Sequence, residues 1–326
     1  MDPITLFLIL FLGFILVLFL RHQFQGSSCN LNKDLTGKII LITGGNTGIG
    51  KSTAIGLANQ NATIILACRD IKKTEQAILE IKEKTKNEKI SYIRLDLSSF
   101  KSIKECAESF KKQYDHLDIL INNAGIIGVR ERKTTEEGFE SQFGVNFLGH
   151  FYFTNLLLGH LKKSKESRVI TLSSTMHQFV SVPWEDLLSE KKYFQWKAYS
   201  LSKLALVLFT RELQRRFDEE GLRAKAVSVH PGLVRTDISR NIISNGFFKF
   251  LEFLVEPMFW IFFKTPAQGA QSTLQCVLED FEGVKGGEYY QDCKPVKTSK
   301  NGRNMEDAKR LWVEAEKLVK SKGGAL

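Results

Sequence analysis

Cysteine is scarce and scattered in this chain of 326 residues. The cysteines number five, an odd count, and no two of them form a C-x-x-C pair. This spacing excludes a disulfide framework and a zinc site built from paired thiolates. We therefore predict reduced thiols in a domain that faces the cytosol. The five are Cys29, Cys68, Cys106, Cys276 and Cys293.

Proline is also rare, with six residues in the chain. No Pro/Gly/Ser-rich break, internal repeat or low-complexity tract is present in the sequence. Strand-like and helix-like segments alternate throughout, which favours one continuous α/β domain. With 43% hydrophobic residues, the chain has enough apolar side chains for a full-sized core.

The formal net charge of +10 is not accompanied by a basic helix or an aromatic-basic platform, which argues against nucleic acid as a partner. Many lysines lie in mixed runs such as residues 82–89, which are typical of solvated helix ends. The remaining positive field favours anionic lipid headgroups and a phosphorylated cofactor. The sequence leaves the formation of a homo-oligomer open.

Only one apolar run approaches the length of a membrane span. Residues Ile4 to Leu20 carry no charge, and a helix of this length reaches about 25 Å, just under the thickness of a bilayer core. No basic residue precedes the run, and no small-residue cleavage pattern closes it. We therefore predict a retained signal anchor rather than a cleaved signal peptide.

The charges around this run predict its orientation. Arg21 and Lys33 follow it, whereas Asp2 precedes it. The positive-inside rule then places the catalytic domain in the cytoplasm. We expect a single-pass protein of the endoplasmic reticulum membrane, with an anchor at residues 1–22, a linker at 23–36 and one catalytic domain at 37–326.

Short apolar segments alternate with helical segments along the rest of the chain. Right-handed crossovers between such strands give an α/β fold with a doubly wound Rossmann-type parallel sheet of about seven strands. In a sheet of this kind, ligands bind at the carboxyl ends of the strands. The predicted strands cover residues 38–43, 62–67, 90–94, 117–121, 168–173, 224–229 and 287–290.

A glycine-rich turn joins the first predicted strand to a helical segment at residues 52–60. A strand, glycine turn and helix in this order point backbone N–H groups and the positive end of the helix at a pyrophosphate. The turn therefore predicts a dinucleotide site. Its sequence is Thr43-Gly44-Gly45-Asn46-Thr47-Gly48-Ile49-Gly50, in which Gly44, Asn46, Thr47, Gly48, Ile49 and Gly50 are candidate ligands.

Tyr199 and Lys203 are four residues apart and so lie on one face of a predicted helix. A free phenol has a pKa of about 10, and a nearby ammonium favours the phenolate, so we expect Lys203 to lower the pKa of Tyr199. Such a tyrosine can exchange a proton with an alcohol oxygen. An isolated Y-x-x-x-K could equally be a surface pair with a solvated lysine. With the glycine turn, the pair predicts hydride transfer between a nicotinamide and a carbonyl or alcohol.

Several motifs in order make the chain resemble the short-chain dehydrogenase/reductase family, over roughly residues 36–320. They are the T-G-x-x-x-G-I-G turn, Asn122-Asn123-Ala124-Gly125, Asn146, Y-x-x-S-K and Pro231-Gly232. Ala67-Cys68-Arg69-Asp70 and residues 146–151, with the long stretch before Tyr199, resemble the retinol dehydrogenase group. The resemblance implies further cofactor contacts at Asn123, Ala124, Gly125, Tyr199, Lys203, Pro231, Gly232 and Thr236.

Arg69 follows the second strand, where a guanidinium can pair with the 2′-phosphate of NADP(H). The adjacent Asp70 could instead hold the ribose of NAD(H), but we interpret it as the N-cap of the next helix. The resemblance also favours NADP(H) over NAD(H). It places the carboxylate of Asp96 against the adenine, although a second N-cap explains this aspartate equally well.

The resemblance also implies a catalytic set. Ser174 would donate a hydrogen bond to the substrate oxygen, with Ser173 as the alternative. Asn146 would anchor a relay water, although a lone helical asparagine could simply cap or kink its helix. Lys203 would also bind the nicotinamide ribose, and no metal is required. The set is Asn146, Ser174, Tyr199 and Lys203.

The segment at residues 246–263 is rich in aromatic side chains but is interrupted by Lys249, Glu252, Glu256 and Pro257. These interruptions exclude a membrane span. A buried core helix is one interpretation, but we favour an interfacial lid that faces lipid and the active site. Membrane lipid is then a partner, and the substrate is lipophilic: a retinoid, a long-chain aldehyde or a steroid-like ketone.

A different class of function is a non-catalytic NADP-binding subunit of a membrane complex. The complete catalytic set argues against it, because a subunit selected only for packing does not require all four side chains. His150 and His230 also suggest chemistry, but both lie in stretches where we expect structural roles.

Overall fold

A single sheet of eight strands organises the fold. A computed structural model describes residues 2–234 and 262–324, and its strands run in the order β3-β2-β1-β4-β5-β6-β7-β8. Neighbouring strands are parallel except β7 and β8, which form an antiparallel hairpin. The predicted Rossmann-type fold is thereby confirmed. The strands are β1 (Ile39–Thr43), β2 (Thr63–Cys68), β3 (Ile90–Arg94), β4 (Ile119–Asn122), β5 (Ser167–Leu172), β6 (Ala224–His230), β7 (Tyr289–Gln291) and β8 (Lys294–Val296).

Helices cover both faces of this sheet. One face packs against α2, α3 and α9, and the other packs against α4, α6, α7 and α10. The helices are α1 (Pro3–Gln25), α2 (Gly48–Ala58), α3 (Ile71–Thr85), α4 (Phe100–Gln113), α5 (Ser141–Phe143), α6 (Gly149–Lys162), α7 (Gln195–Glu219), α8 (Pro266–Gly269), α9 (Gln271–Leu278) and α10 (Met305–Ser321). A π-helical turn (Gly144–Leu148) and a 3₁₀ turn (Thr175–Phe179) complete the helical segments near the site.

Strand side chains alternate between the two faces, as the pleat of a sheet requires. Leu41 and Val169 join the cluster formed with α4, α6 and α7, whereas Ile40 and Ile170 join the cluster formed with α2 and α9. Central strands that are buried on both faces appear in the sequence as continuous apolar runs. These runs are the reason why the parallel strands could be located from the sequence.

The eighth strand was not predicted. The turn before it, Asp292-Cys293, lacks the glycine or asparagine that marks a two-residue hairpin, yet both residues have positive φ, 48° and 63°. An ion pair of 2.6 Å between Lys264 Nζ and Asp292 Oδ1 fastens this turn to the chain before α8. A tertiary contact therefore holds a hairpin that has no local sequence signature.

The N-terminal helix α1 stands apart from the sheet, with most of its apolar side chains exposed. Among the described residues, it is the one helix long and apolar enough to cross a membrane. Its last turn touches the domain, because the ring of Phe24 lies 4.8 Å from that of Phe262. Asp2 caps the first turn by accepting a hydrogen bond of 2.9 Å from Thr5 N.

The strap, which we define as residues 26–36 between α1 and β1, is bound to the catalytic domain. Cys29 N donates to Gln271 Oε1 (2.8 Å), and Lys33 N donates to Gln60 Oε1 (3.1 Å). Leu35 is buried in the cluster of α2 and α9. The predicted linker therefore lies along the domain surface over most of its length.

Candidate active site

The glycine-rich turn between β1 and α2 is held against the end of β4. Gly44 has a φ of +64°, and a Cβ there would lie 3.0 Å from the Cα of Ala124. A Cβ on Gly50 would lie 2.3 Å from the Gly44 carbonyl oxygen. Asn123 Nδ2 donates to the carbonyls of Thr43 (2.8 Å) and Gly44 (3.2 Å). The two motifs therefore form one backbone cradle that requires glycine at both positions.

The N-terminus of α2 opens onto this cradle. The first intrahelical hydrogen bond runs from Lys51 N to Thr47 O (3.1 Å), so the N–H groups of residues 48–50 have no partner within the helix. Within the described residues, the Thr47 side chain makes no capping hydrogen bond, and this side chain is exposed. Free N–H groups and the positive end of a helix favour a phosphate at this position.

Arg69 and Asp70 lie at the carboxyl end of β2 in different environments. The Asp70 carboxylate accepts a hydrogen bond of 3.1 Å from Lys73 N and caps α3, which confirms the N-cap interpretation. The Arg69 side chain is exposed. Asn46 in the glycine turn donates to the Thr74 hydroxyl (3.2 Å), so α3 and the turn are joined directly. Arg69 is therefore an exposed cationic side chain at the end of β2, the strand next to the glycine turn.

The N-cap interpretation of Asp96 is wrong. The helix α4 is capped by Ser99, whose hydroxyl accepts from Ser102 N (3.4 Å). The Asp96 carboxylate instead closes a local turn by accepting from the backbone N (3.0 Å) and the hydroxyl (2.6 Å) of Ser98. Both of these bonds go to Oδ1 of the half-buried carboxylate. Its Oδ2 is thus the oxygen that can face a ligand at the end of β3.

Tyr199, Ser174 and Lys203 come together at the carboxyl end of β5. Both α7 residues lie on one face of its first turns, with Lys203 Nζ 5.6 Å from the centre of the Tyr199 ring. Ser174 follows β5, and its hydroxyl is hydrogen-bonded to the phenol. The Lys203 ammonium is buried and donates to the carbonyl oxygen of Leu172 (2.9 Å). The surface-pair alternative is therefore wrong, because the lysine is not solvated.

Burial, rather than Lys203, determines the protonation of this cluster. Burial raises the pKa of Tyr199 to about 12, and the hydrogen bond from Ser174 offsets only part of this effect. Burial also lowers the pKa of Lys203 to about 8. The expectation that Lys203 lowers the pKa of Tyr199 is wrong for this arrangement, because the ammonium bonds a backbone carbonyl instead of the phenol. At neutral pH the phenol therefore keeps its proton.

Asn146 lies in the π-helical turn that joins α5 to α6, a feature that often marks functional sites. Its amide accepts from Ile126 N (2.8 Å) and donates to Ile126 O (2.9 Å) and to the Ser202 hydroxyl (3.0 Å). A Cβ added at Gly125 would lie 3.2 Å from Asn146 Oδ1 and 3.7 Å from Lys203 Nζ. Asn146 therefore lies at a distorted helix turn and also borders the buried lysine.

The alternative serine and His150 have structural contacts. Ser173 is buried and donates to the carbonyl oxygen of Lys203 (2.8 Å). His150 Nδ1 faces the Asn146 carbonyl at 2.8 Å and must donate to it, so its Nε2 accepts from the Thr43 hydroxyl. Burial lowers the pKa of His150 to about 4, which keeps the ring neutral.

His177 was missed in the sequence. Its Nδ1 lies 2.5 Å from the Ser174 carbonyl, and its Nε2 is hydrogen-bonded to the Thr298 hydroxyl. The ring packs on that of Tyr289 with 4.8 Å between centroids. A lone histidine in the sequence carries no signal for this role, because two of its partners, Thr298 and Tyr289, lie far along the chain. His177 holds the backbone of Ser174, the residue that bonds the Tyr199 phenol.

The remaining predicted site residues and the predicted lid follow β6. Pro231 and Gly232 follow β6, with Gly232 at a φ of +88°. Thr236 and residues 246–261 of the predicted lid lie outside the described residues. Phe262 and Phe263, at the end of that segment, are described.

Residues 38–245 match the family model described as short chain dehydrogenase. Retinol dehydrogenase 12 of Mus musculus is 45% identical over 311 residues, which cover 94% of this chain and 95% of that protein. The chain belongs to the short-chain dehydrogenase family. Within this family, retinol dehydrogenase 11 of Homo sapiens is 40% identical over 312 residues, 96% of this chain and 95% of that protein. The protein is thus a short-chain dehydrogenase/reductase, an oxidoreductase related to the retinol dehydrogenases.

Solved structures agree with this family assignment. An uncharacterized protein from Mycobacterium paratuberculosis superposes with a TM-score of 0.72 at 32% identity, over 90% of this chain and 98% of that one. A short chain dehydrogenase from Shigella flexneri, complexed with NADP, has a TM-score of 0.62 at 24% identity, over 81% and 100% of the two chains. The second likeness concerns the fold alone.

The residues present fit the nicotinamide cofactor of the family. The glycines of the cradle leave no room for side chains, so its backbone N–H groups can approach a pyrophosphate closely. The end of α2 supplies the positive pole for that phosphate. Gly125 keeps open the space above Lys203 and Asn146. A dinucleotide lying across the carboxyl ends of β1 and β4 would therefore reach the cluster of Tyr199, Ser174 and Lys203.

Proposed function

We propose that this protein is a membrane-anchored, NADP(H)-dependent oxidoreductase that transfers a hydride between the nicotinamide and a lipophilic alcohol or carbonyl compound. The substrate classes are a retinoid, a long-chain aldehyde or a steroid-like ketone. The observation that carries the proposal is the phenol of Tyr199, hydrogen-bonded to Ser174 and placed over the buried ammonium of Lys203. This cluster borders Gly125, at the end of the cofactor cradle.

The chain's own residues supply the proton and hold the substrate oxygen. When bound, the nicotinamide supplies or accepts the hydride. In reduction, the hydroxyls of Ser174 and Tyr199 donate hydrogen bonds to the carbonyl oxygen and stabilise its developing negative charge. Tyr199 then passes its proton to that oxygen. The raised pKa of Tyr199 favours this direction, because the phenol is fully protonated at neutral pH.

Lys203 and Asn146 support the transfer of that proton. The ammonium of Lys203 lies close enough to stabilise the phenolate that forms when Tyr199 gives up its proton. Asn146 is fixed by three hydrogen bonds beside the ammonium, where its turn can position a relay water. In alcohol oxidation, the same residues act in the reverse order, with Tyr199 accepting the proton.

The preference for NADP(H) rests on the end of β2. Asp70 is occupied by its cap on α3, whereas the guanidinium of Arg69 is exposed beside the glycine turn. An exposed guanidinium can form a bidentate pair with a 2′-phosphate, which NAD(H) lacks. Several relatives carry the name retinol dehydrogenase, which supports a lipophilic substrate.

The proposed location rests on α1. Its exposed apolar surface favours insertion into a bilayer, and Arg21 and Lys33 on its carboxyl-terminal side favour a cytoplasmic catalytic domain. We propose the endoplasmic reticulum as the membrane. Selective permeabilisation of the plasma membrane, followed by protease treatment, would digest a cytoplasm-facing domain and spare a lumenal one.

A substrate panel tests the proposed activity. Full-length protein in detergent should reduce retinaldehyde, a long-chain aldehyde or a steroid ketone with NADPH faster than with NADH. A matched preparation of the Tyr199→Phe variant controls for contaminating reductases. If the parent protein binds NADPH but turns over none of these classes, the non-catalytic subunit becomes the better interpretation.

A further inference from the structure

One register row of the sheet is polar from β4 to β7. Asn122 pairs with Thr171, Thr171 with Ser228, and Ser228 with Tyr289. We call these four residues the polar row. All four are at most 1% exposed. Because register partners in a parallel sheet point to the same side, the four side chains lie on one face.

That face is the one covered by α6 and α7. Two residues earlier along the strands, the same face carries Leu120, Val169 and Ala226, which belong to the apolar cluster under those helices. The opposite face is apolar at this level, with Ile121, Ile170 and Val227. The polar row is therefore a single polar layer between apolar packing and the carboxyl ends of the strands.

Each member of the polar row has a polar atom without a hydrogen-bond partner among residues 2–234 and 262–324. These atoms are Asn122 Oδ1, Thr171 Oγ1, Ser228 Oγ and Tyr289 OH. The other amide atom of Asn122 bonds the Thr154 hydroxyl at 3.0 Å, so flipping the amide would only exchange the unpaired atom. Buried polar groups in folded proteins are nearly always paired, with protein or with ordered water.

The polar row lies beneath the catalytic cluster. Lys203 Nζ donates to the carbonyl oxygen of Leu172, the residue after Thr171. At the other end, the Tyr289 ring packs on His177, which bonds the carbonyl of Ser174. An ammonium has three donors, and among the described residues the hydrogen bond to Leu172 is the one that Lys203 Nζ makes. The ammonium of Lys203, with donors to spare, is therefore anchored one residue beyond the polar row.

We propose that the polar row binds a file of internal water molecules that solvates the ammonium of Lys203 from below. Neighbouring strands are about 4.8 Å apart, a separation that one bridging water spans between two side-chain oxygens. An internal water typically makes two to four hydrogen bonds, and adjacent members of the row supply them. Thr171 and Ser228 are thereby positioning residues, which act on the reaction through Lys203.

The surroundings of Lys203 fit this role. Its charge lies in a buried place, and burial lowers its pKa to about 8. Without compensating polar groups, an isolated buried ammonium would lose its proton. Among the described residues, no carboxylate acts on this ammonium, and burial is the cause of its lowered pKa. The titratable groups described around the cluster and the row are His150, His177, Tyr199, His230, Tyr289 and Lys264, with Asp292 paired to Lys264.

A high-resolution crystal structure of the full-length chain tests the water site directly. We expect ordered waters within hydrogen-bond distance of the Thr171 and Ser228 hydroxyls. Electron density without ordered water along the row, or hydroxyls that donate directly to strand carbonyls, would overturn the proposal. This result does not depend on turnover, so it stands or fails separately from the proposed function.

Hydroxyl removal gives a second test of the same site. Thr171→Val and Ser228→Ala should lower the melting temperature, because each removes a partner of a bound water. If the hydroxyls were truly unpaired, both changes would raise it by removing a buried polar group. Thr273→Val on α9 is the matched control, since Thr273 is also buried with an unpaired hydroxyl but lies outside the row.

The third test is the pH profile of kcat, which rests on the proposed function. With less solvation of its ammonium, Lys203 should lose its proton at lower pH, so the alkaline limb of the Thr171→Val profile should move to lower pH. The Thr273→Val profile should superpose on that of the parent protein. Tyr289→Phe provides the same comparison if Thr171→Val does not fold. Unchanged profiles in all row variants would contradict the solvation of Lys203.

Discussion

The buried environment of Tyr199, and not Lys203 four residues later, determines the protonation of its phenol. Burial keeps the phenol protonated, and the hydrogen bond from the Ser174 hydroxyl offsets only part of this effect on its pKa. Lys203 contributes most strongly after the proton has left, because a cation stabilises a phenolate and not a neutral phenol. These protonation states agree with the proposed role of Tyr199 as a proton donor.

Tyr199→Phe removes only the hydroxyl and should lower kcat for carbonyl reduction about 10²–10⁴-fold. Binding of NADPH, measured by fluorescence titration, should be unchanged, because the phenylalanine ring keeps the packing. Lys203→Ala is the comparison, since it should weaken NADPH binding as well as turnover. Near-normal turnover by Tyr199→Phe would contradict the proposed mechanism.

Arg69→Ala should raise the KM for NADPH much more than the KM for NADH, because only NADPH carries a 2′-phosphate for the guanidinium to bind. The loss should be about 10-fold or more for one charge-assisted pair. Lys72→Ala, which removes an exposed cation on the following helix, is the control for general charge. Equal effects on both cofactors would show that Arg69 does not determine the preference.

Lys203→Met should stabilise the fold while it abolishes activity. The folded-state pKa of about 8 lies below the ordinary value of 10.5, so the unfolded chain binds this proton more tightly. At neutral pH the charge therefore costs stability, up to about 3 kcal/mol. The free energy of unfolding of the parent should rise as pH increases through the window from about 8 to 10.5. Urea unfolding of the parent and Lys203→Met at pH 7 and pH 9.5 would measure the difference, which should shrink at the higher pH.

At the residue scale, the sequence predicted that Tyr199, Lys203, Ser174 and Asn146 form the site, but it did not predict the pKa shifts of Tyr199 and Lys203. Spacing shows which side chains share a helix face, whereas desolvation depends on what the rest of the chain buries around them. For the same reason, His177 could not be found. Asp96 bonds Ser98, and Ser99 rather than Asp96 caps α4. Because an aspartate and two serines lie close together before the helix, the sequence alone does not determine which of them is the cap.

Among the secondary-structure elements, β5 and α9 are joined by a single buried guanidinium. Arg168 on β5 donates from Nη1 to the carbonyls of Cys276 and Val277, both at 2.6 Å, and from Nη2 to that of Glu279 at 2.7 Å. These carbonyls belong to the last turn of α9, where no following turn can pair them. A cation also complements the negative end of a helix.

Arg168→Met should destabilise the protein by about 3 kcal/mol or more, because three carbonyls at a buried helix end lose their donors. Urea unfolding followed by circular dichroism would measure the loss. Arg223→Ala is the matched control, since Arg223 is exposed and its pairs with Glu166 and Glu282 lie on the surface. We expect a change of only about 0–1 kcal/mol there. Similar losses in both variants would refute this account of α9.

Elements that form long or clearly periodic apolar patterns were predictable from the sequence, and short irregular elements were not. The parallel strands β1, β2, β4, β5 and β6 appear as apolar runs because they are buried on both faces. The strand β8 has three residues, one of them proline, and follows a turn whose strained residues are held by Lys264. The π-helical turn at residues 144–148 needs the contacts of Asn146 with another loop, which no local pattern encodes.

At the scale of the whole molecule, α1 and the aromatic segment at 246–263 are the two parts expected to contact lipid. Deleting residues 1–22 should release the protein from integral membrane association, because α1 is the one described helix that can span a bilayer. Extraction with carbonate and flotation on a gradient would measure the release. Retention of the truncated protein in carbonate-washed membranes would contradict the anchor.

The truncated protein should keep weak, detergent-sensitive binding to liposomes through the aromatic segment. Polar replacements at Phe247, Phe250 and Trp260 should abolish this binding and raise the KM for long-chain substrates more than for short ones. Co-sedimentation with liposomes and a chain-length series of aldehydes would measure both effects. Unchanged binding and unchanged chain-length preference would mean that the segment is an ordinary packed helix.

The bound strap limits how the enzyme can meet its substrate. An unattached linker of this length would have an end-to-end distance of about 15–20 Å, so the domain could turn any of its sides toward the bilayer. Because Cys29, Lys33 and Leu35 are fixed to the catalytic domain, α1 leaves that domain in one direction. An embedded α1 would then present the same flank, next to Phe262, to the lipid at every encounter. For the proposed anchored enzyme, the search for a lipophilic substrate would then be two-dimensional, and its rate should follow the substrate's concentration within the bilayer rather than in water.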